Sequence, residues 1–96
     1  NAHFLQELPT DFDVLRNFPN PFNNLTTFIF TAPGEGTLKL VVHDALGRVV
    51  YDGQHVVRQG GMQSIDIPTY SWAQGIYYYR VEMGSRIRTG KMILAR

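Results

Sequence analysis

The chain has 96 residues, of which 44% are hydrophobic and 12% aromatic, and its formal net charge is +1. This length fits one domain with one core, and the balanced charge excludes the basic excess typical of nucleic-acid binders. The sequence contains no cysteine, which excludes disulfides and thiolate zinc sites. It has neither a signal peptide nor an apolar run near the ~20 residues that span a bilayer. Because it begins without Met, we expect it to be part of a longer protein.

The first part of the chain lacks a regular hydrophobic period. Pro9 interrupts any helix here, so we predict that residues 1–14 are a linker from an upstream domain. The segment that follows is rich in proline and asparagine, which favours a rigid, extended or turning conformation. Its central residues are Pro19, Asn20, Pro21 and Phe22.

From Leu25 onward the hydrophobic period is two, which predicts β-strands. The alternation covers residues 25–31, 38–43 and 63–67, and residues 48–52 form a return strand. Asp44 opens a tight turn in which Gly47 supplies the positive φ of a type I turn with a bulge. Residues 53–62 read as a longer excursion that contains a short edge strand at 55–57.

Residues 75–96 predict a final hairpin, with Gly84 and Ser85 as its two-residue turn. Tyr77 and Tyr79 share one strand face and are assigned to the core, which leaves Tyr78 on the surface. With about seven short strands and no convincing helix, the chain is predicted to be all-β. The fold class is an immunoglobulin-like antiparallel β-sandwich.

Residues that could support catalysis or metal binding are sparse. His43 is predicted on the solvent side of its strand. Asp44 and Asp52 could approach each other as a calcium-like site, but the alternative that Asp44 only bonds backbone N–H groups of its turn is favoured. None of the serines lies in a nucleophile-elbow context. We therefore predict no enzyme activity, no cofactor, no metal and no small-molecule substrate.

Two further features leave alternatives open. Tyr70, Trp72 and Tyr78 could form a sugar-stacking platform, although Trp72 is more readily explained as a lid on the sandwich end. Five of the nine Lys and Arg residues lie between residues 80 and 96. These cations are either a solvated strand face that blocks edge aggregation or an electropositive strip for an acidic partner. They are Arg80, Arg86, Arg88, Lys91 and Arg96.

Four ordered motifs carry a family resemblance. Residues 15–23 (LRNFPNPFN) resemble the opening "L-x-N-Y-P-N-P-F-N" of the type A C-terminal sorting domain of type IX secretion in Bacteroidota. Residues 44–50 (DALGRVV) are similar to its "D-x-x-G-R-x-V" hairpin. Residues 75–81 (GIYYYRV) resemble "G-[VI]-Y-x-Y-R-[LV]", and residues 90–94 (GKMIL) resemble the closing "K-[ML]-[VI]-[VL]". Phe18 replaces the usual Tyr, and Trp72 stands where Leu is common.

The resemblance implies a domain at residues 15–96 that is a secretion signal and not an enzyme. Such domains follow secreted cargo domains in the same chain. The type IX machinery of the outer membrane recognises them after the cargo has reached the periplasm. A sortase-like peptidase often removes the domain, here within residues 1–17, and the cargo becomes secreted or attached to the cell surface.

From the motifs we predict the residues that the machinery recognises and those that shape the domain. The recognition residues are Gly75, Tyr77, Tyr79, Arg80, Gly90, Lys91, Met92 and Leu94. The structural residues are Pro19, Asn20, Pro21, Phe22, Asp44 and Gly47. In this hypothesis Tyr77 and Tyr79 hold the hairpin in the core, and the final strand pairs with an exposed sheet edge of the machinery. The alternatives are a carbohydrate-binding module and an immunoglobulin-like structural spacer.

Overall fold

The computed structural model describes residues 13–18 and 24–95. The predictions made for Pro19, Asn20, Pro21 and Phe22 and for residues 1–12 lie outside these ranges. Within them, no helix is long and apolar enough to cross a membrane. The described strands are β1 (Asp13–Phe18), β2 (Leu25–Ala32), β3 (Gly36–Asp44), β4 (Val49–Val57), β5 (Gly61–Pro68), β6 (Gly75–Met83) and β7 (Arg86–Leu94).

The strands form two antiparallel sheets, which confirms the all-β prediction. One sheet has the order β1-β2-β5 and the other has the order β4-β3-β6-β7. All the pairings are antiparallel, and β3 pairs with both β4 and β6. β4 and β7 are therefore the two edge strands of the larger sheet.

The core lies between the two sheets, where buried apolar side chains of β2 to β7 meet. Phe28 on β2 and Leu40 on β3 are at most 1% exposed, and they lie in opposite sheets. The rings of Phe28 and Tyr79 meet edge to face across the core, with their centroids 4.9 Å apart. This interleaving of two inner faces is the packing expected of a β-sandwich. The other buried apolar residues are Phe30, Ala32, Leu38, Val42, Val57, Ile65, Ile67, Tyr77, Val81, Met83, Met92 and Leu94.

The β4 prediction was wrong in its length. The sequence indicated a return strand at residues 48–52 and a separate edge strand at 55–57, whereas β4 is continuous from Val49 to Val57. Gly53 does not break it, because the ring of Tyr51 lies over the glycine and fills the space that a side chain would occupy. A glycine inside a strand can thus mark a close approach instead of an end.

The start of the sandwich also differs from the sequence-based expectation. β1 begins at Asp13 and pairs with β2 from Asp13↔Thr31 to Phe18↔Thr27. Residues 13 and 14, which were assigned to the linker, therefore belong to a strand of the smaller sheet.

Candidate functional site

The last hairpin, β6–β7, contains all eight predicted recognition residues. Its strands pair in register from Gly75↔Leu94 to Met83↔Arg86. Gly84 has a φ of 62°, and the described residues have no positive φ outside glycine, so Ser85 follows with a negative φ. This pattern is a type II′ turn, which confirms the two-residue turn predicted at Gly84 and Ser85. Gly75 has a φ of 148°, a conformation that side chains disfavour.

The inner side of this hairpin packs against the core along the half that contains Tyr77, Tyr79, Met92 and Leu94. As predicted, both tyrosines face the core, with Tyr77 buried and Tyr79 half-buried. Tyr77 is 4% exposed, and Met92 and Leu94 are at most 2% exposed. The Tyr77 hydroxyl donates a hydrogen bond to the Ala73 carbonyl oxygen, and its ring contacts Trp72 at a centroid distance of 4.9 Å. Burying each of these side chains stabilises the fold by roughly 1.5–3 kcal/mol. Their presence in the motif is therefore explained by folding.

Gly90 is explained by the same core. It lies directly opposite Tyr79 across the β6–β7 ladder, and a Cβ on Gly90 would overlap the Tyr79 ring. The other side of that ring packs against Phe28 in the opposite sheet. The glycine therefore lets the tyrosine ring lie flat over β7 while it fills the space between the sheets.

The outer side of the hairpin is different because its side chains face away from the core. Tyr78 pairs with Lys91, and Ile76 pairs with Ile93. All four side chains are exposed, which confirms the surface assignment of Tyr78. Arg80 lies on the same side, directly opposite Thr89. We call the group of Ile76, Tyr78, Lys91 and Ile93 the outer patch.

The two predicted cations on this side have different surroundings. Arg80 Nε lies 3.0 Å from Glu82 Oε1, in an ion pair whose side chains are 49% and 36% exposed. Such an exposed pair contributes about 0–1 kcal/mol to stability. Lys91 forms no ion pair with any residue in the described ranges. From Gly84 to Ala95 the sequence has no acidic residue, so β7 carries only positive charge.

The peptide groups of β7 alternate in direction. The two-residue turn makes Met83 and Arg86 a hydrogen-bonded pair, and hydrogen-bonded pairs then recur at every second position. Ile87, Thr89, Lys91 and Ile93 therefore direct their N–H and C=O groups away from β6. The Ile87 carbonyl oxygen accepts a 2.9 Å hydrogen bond from Arg88 Nη1. No other strand of the described residues pairs with this edge.

The predicted structural residues Asp44 and Gly47 lie in the β3–β4 turn. Gly47 has a φ of 86°, and its N–H donates to the Asp44 carbonyl oxygen at 3.0 Å, as expected for a type I turn with a bulge. The Asp44 Oδ1 atom accepts 2.9 Å hydrogen bonds from the N–H groups of Leu46 and Arg48. The Arg48 backbone N–H, more than any other group, lowers the pKa of the Asp44 carboxyl, and the Arg48 guanidinium adds to the effect.

This geometry favours the turn-opening role of Asp44 over the calcium alternative. Its other carboxylate oxygen is 2.8 Å from Arg48 Nε, so both oxygens already have partners. Among the described residues, no group of three or more His, Asp or Glu side chains could hold a metal ion. His43 lies on the outer face of the sheet, paired with Val49 and Tyr78, as predicted from its parity.

The proposed sugar platform is not assembled. A cleft of about 450 Å³ lies between the β3–β4 turn and the loop before β6, and Trp72 lines it. Tyr70 and Tyr78 do not line this cleft. Trp72 is half-buried against Tyr77 and packs against the core, which supports its interpretation as a lid.

Sequence reasoning did not identify the pair of Tyr51 and His55 on β4. The Tyr51 hydroxyl and His55 Nε2 share a 2.9 Å hydrogen bond, and the two rings stack with their centroids 6.4 Å apart. Burial raises the pKa of the Tyr51 hydroxyl. The spacing of four residues between Tyr51 and His55 could have indicated this contact. We predicted an interruption of the strand near Gly53, however, which placed the two residues in separate segments.

Together these features define a small β-sandwich whose last hairpin packs into the core through Tyr77, Met92 and Leu94 and exposes Lys91 on its outer side. A family comparison matches residues 16–95 to the secretion system C-terminal sorting domain, so the chain belongs to this family, the C-terminal sorting domain of type IX secretion. Searches of curated proteins and of solved structures gave no match. The family implies a sorting signal that interacts with the type IX machinery and export across the outer membrane, to the cell surface or as a secreted protein. Domains of this family are non-catalytic in general.

Proposed function

We propose that this chain is a non-catalytic sorting signal that directs an upstream cargo domain of the same protein through the type IX system to the cell surface. The linker predicted at residues 1–14 is shortened to residues 1–12, because Asp13 and Val14 belong to β1, and the sorting domain accordingly begins at Asp13 instead of residue 15. The observation that supports the proposal best is the division of the β6–β7 hairpin. Its buried residues serve the fold, whereas exposed Lys91 has no folding role visible among its contacts.

In this proposal the recognition residues divide into two groups. Gly75, Gly90 and the buried side chains of the hairpin shape the surface that the machinery binds. Arg80 and Lys91 contact the machinery directly, since both are exposed on the outer face. The cargo becomes attached to the surface after a sortase-like peptidase cuts within residues 1–17. Support for this step comes from the family alone.

A reporter assay tests the proposed function. A periplasm-exported reporter enzyme is placed before Asn1 and expressed in a type IX-competent bacterium and in a strain that lacks the translocon. We expect surface or secreted reporter in the first strain and active periplasmic reporter in the second. Removal of residues 91–96 should also trap active reporter in the periplasm. Equal surface display in all these cases would contradict the proposal.

The structural-spacer alternative is tested by placing the whole chain between two reporter domains. A spacer should function equally well there, whereas a sorting signal read from its last strand should lose export. Among the described residues, no assembled aromatic platform supports the carbohydrate-binding alternative, since Trp72 alone of the three aromatics lines the cleft.

A further inference from the structure

β4, an edge strand of the larger sheet, has a nearly symmetric sequence. The strand Val49–Val57 reads VVYDGQHVV, with Gly53 at its centre and two valines at each end. If two copies of this strand pair antiparallel about the glycine, each residue lies opposite its counterpart from the other half of the strand. The residues at equal distances from Gly53 are Tyr51 and His55, and Asp52 and Gln54.

The outward edge of β4 offers backbone groups for such a pairing. Hydrogen-bonded pairs alternate along each ladder, and the pair of Met83 and Arg86 determines the alternation through β6 and β3. By this alternation Leu40 bonds Gly53, and the residues on either side of the glycine direct their N–H and C=O groups away from β3. No other strand in the described part of the chain pairs with this edge. The residues with outward peptide groups are Asp52, Gln54 and Val56.

On the outer face, the symmetric register brings Asp52 opposite Gln54 of the second copy. Both residues have outward peptide groups, so they form hydrogen-bonded pairs on the two sides of the central glycine. The strand has a single carboxylate, and this register places it directly opposite a neutral amide that can donate to it. The directly opposed like charges that destabilise a sheet are thereby avoided.

On the inner face, the same register brings Tyr51 opposite His55 of the second copy. Within one copy the Tyr51 ring covers Gly53, and its hydroxyl and His55 Nε2 share the 2.9 Å hydrogen bond. Across the new ladder these residues lie at non-hydrogen-bonded positions, where side chains are closest. The two glycines meet at the centre, and because neither has a side chain, they leave space for both tyrosine rings. Aromatic cross-strand pairs of this kind stabilise a sheet.

The ends of β4 are apolar and exposed. Val49 is 56% exposed and Val56 is 68% exposed. The strand contains neither lysine nor proline, which commonly protect an edge strand from pairing. The β3–β4 register shifts before Tyr51, so the regular part of the strand is short. An interface of this length buries less than the ~1,200 Å² of a standard complex, and we therefore expect association that is reversible and depends on concentration.

We propose that β4 is a homodimer interface, at which two copies of this domain pair antiparallel about Gly53. The pairing is isologous and closed, and it joins the two four-stranded sheets into one continuous sheet. The two β7 strands then lie at its far ends, so each copy keeps its β6–β7 hairpin away from the interface. This inference concerns a surface that the sorting proposal does not use, and it stands independently of that proposal.

Opposite charges at Gln54 provide the first test, measured by sedimentation of the whole chain over a range of concentrations. Gln54→Glu should raise the dimer dissociation constant about tenfold, because a like charge then lies opposite Asp52 in both symmetric pairs. Gln54→Lys should lower it about threefold, because both pairs become attractive. The control is Thr89→Glu, which adds the same charge to an exposed residue of the other edge strand and should change the constant less than about twofold.

The stability of the single chain cannot imitate this result. Lys39 lies opposite Gln54 on β3, so within one copy Gln54→Glu is the favourable change and Gln54→Lys the unfavourable one. Circular dichroism and urea unfolding at low protein concentration establish that each variant is folded and measure this reversed order.

Disulfide trapping tests the register itself, since the chain has no cysteine of its own. The Cα atoms of a hydrogen-bonded pair lie about 5.5 Å apart, within the range of about 4.4–6.8 Å that a disulfide spans. A mixture of Asp52→Cys and Gln54→Cys chains should therefore form a mixed disulfide in high yield. Either variant alone should form several-fold less, because identical positions are diagonal neighbours about 7–8 Å apart.

Three results would overturn the inference. The first is a wild-type chain that remains monomeric up to about 1 mM. The second is a dimer that responds equally to Gln54→Glu and Gln54→Lys, or that Thr89→Glu weakens as much as Gln54→Glu does. The third is an equal disulfide yield in the cysteine mixture and in the separate variants, which would exclude pairing about Gly53.

Discussion

The two edge strands of the larger sheet, β4 and β7, differ in how a tyrosine ring covers the glycine in the middle of each strand. Each has a glycine in its middle whose missing side chain is replaced by a tyrosine ring. On β4 the ring belongs to Tyr51 of the same strand, and its hydroxyl bonds His55. On β7 the ring belongs to Tyr79 of the neighbouring strand and packs against Phe28 of the opposite sheet.

The difference shows how a short strand can combine folding with recognition. On β4 the glycine is covered by a neighbour in the same strand, Tyr51, which also packs against the edge of the core. β7 is fixed from its inner side by the central core, whereas the side chain of Lys91 is exposed and forms no ion pair within the described ranges. Lys91 can therefore contact a partner without a cost to the stability of the domain.

The largest expected effect is a difference in stability between alanine substitutions of Gly90 and Gly53. Gly90→Ala should lower the free energy of unfolding by about 2–3 kcal/mol, because the new Cβ forces the Tyr79 ring away from Phe28. Gly53→Ala should cost only about 1 kcal/mol. Its Cβ would lie 2.6 Å from the Tyr51 hydroxyl oxygen, at the outer end of a half-buried ring that can swing aside. Urea unfolding of both variants measures the difference.

A double mutant sharpens this comparison. In a Tyr79→Leu background the additional cost of Gly90→Ala should shrink below about 1 kcal/mol, because the clash with the ring has been removed. Equal costs for Gly90→Ala with and without Tyr79 would show that the glycine serves some other purpose.

A smaller effect tests the local contact on β4. Tyr51→Phe should cost about 0.5–1.5 kcal/mol, since it breaks the hydrogen bond to His55. The raised pKa of Tyr51 means that the folded state holds this proton more tightly than the unfolded state. Its contribution is complete below pH 10 and is lost as the pH rises above that value. Wild type should therefore lose stability more steeply than Tyr51→Phe in alkaline unfolding experiments, and identical slopes would contradict this assignment.

The smallest expected effect lies at the β3–β4 turn. The pKa of Asp44 is lowered, so its carboxylate stabilises the folded state above the unfolded pKa of 3.8, and this contribution is lost as the pH falls through the lowered value. The amide protection factors of β4, which are corrected for the intrinsic exchange rate at each pH, should fall in acid, whereas the β6–β7 turn of Gly84 and Ser85 has no such group. Asp44→Asn should remove the acid dependence at β4, and a persistent dependence would assign it to another carboxyl.

Much of this architecture was predictable because the deciding interactions are local. Alternation along β6 placed Tyr77 and Tyr79 inside and Tyr78 outside, and the chemistry of Asp44 and Gly47 determined the turn. The continuity of β4 was not predictable, because it depends on where the ring of Tyr51 lies in three dimensions. For the same reason the sequence showed Gly90 only as a motif residue, while its contact with Tyr79 explains why a side chain is excluded there.

The position of the candidate site on an edge strand was also not predictable from the sequence. The cations near the end of the sequence were evident, but whether they faced a core, a neighbouring strand or an open edge depended on strand order. β7 became an edge strand because β6 pairs with β3 on its other side, and that pairing joins residues far apart in the sequence. Pairing between strands that are far apart along the chain leaves no recognisable pattern in a single amino-acid sequence.

The central claim is that the inner side of β7 maintains the fold while its outer side is read for export. The most direct test measures the unfolding free energy and the reporter export of Lys91→Glu and Arg58→Glu in parallel. Arg58→Glu is the control, which makes the same charge change on an exposed residue just beyond β4. We predict that both variants stay within about 0.5 kcal/mol of wild type in stability and that only Lys91→Glu loses export, by about tenfold. Export of Lys91→Glu at the wild-type level, or a loss of export matched by a loss of stability, would contradict the claim.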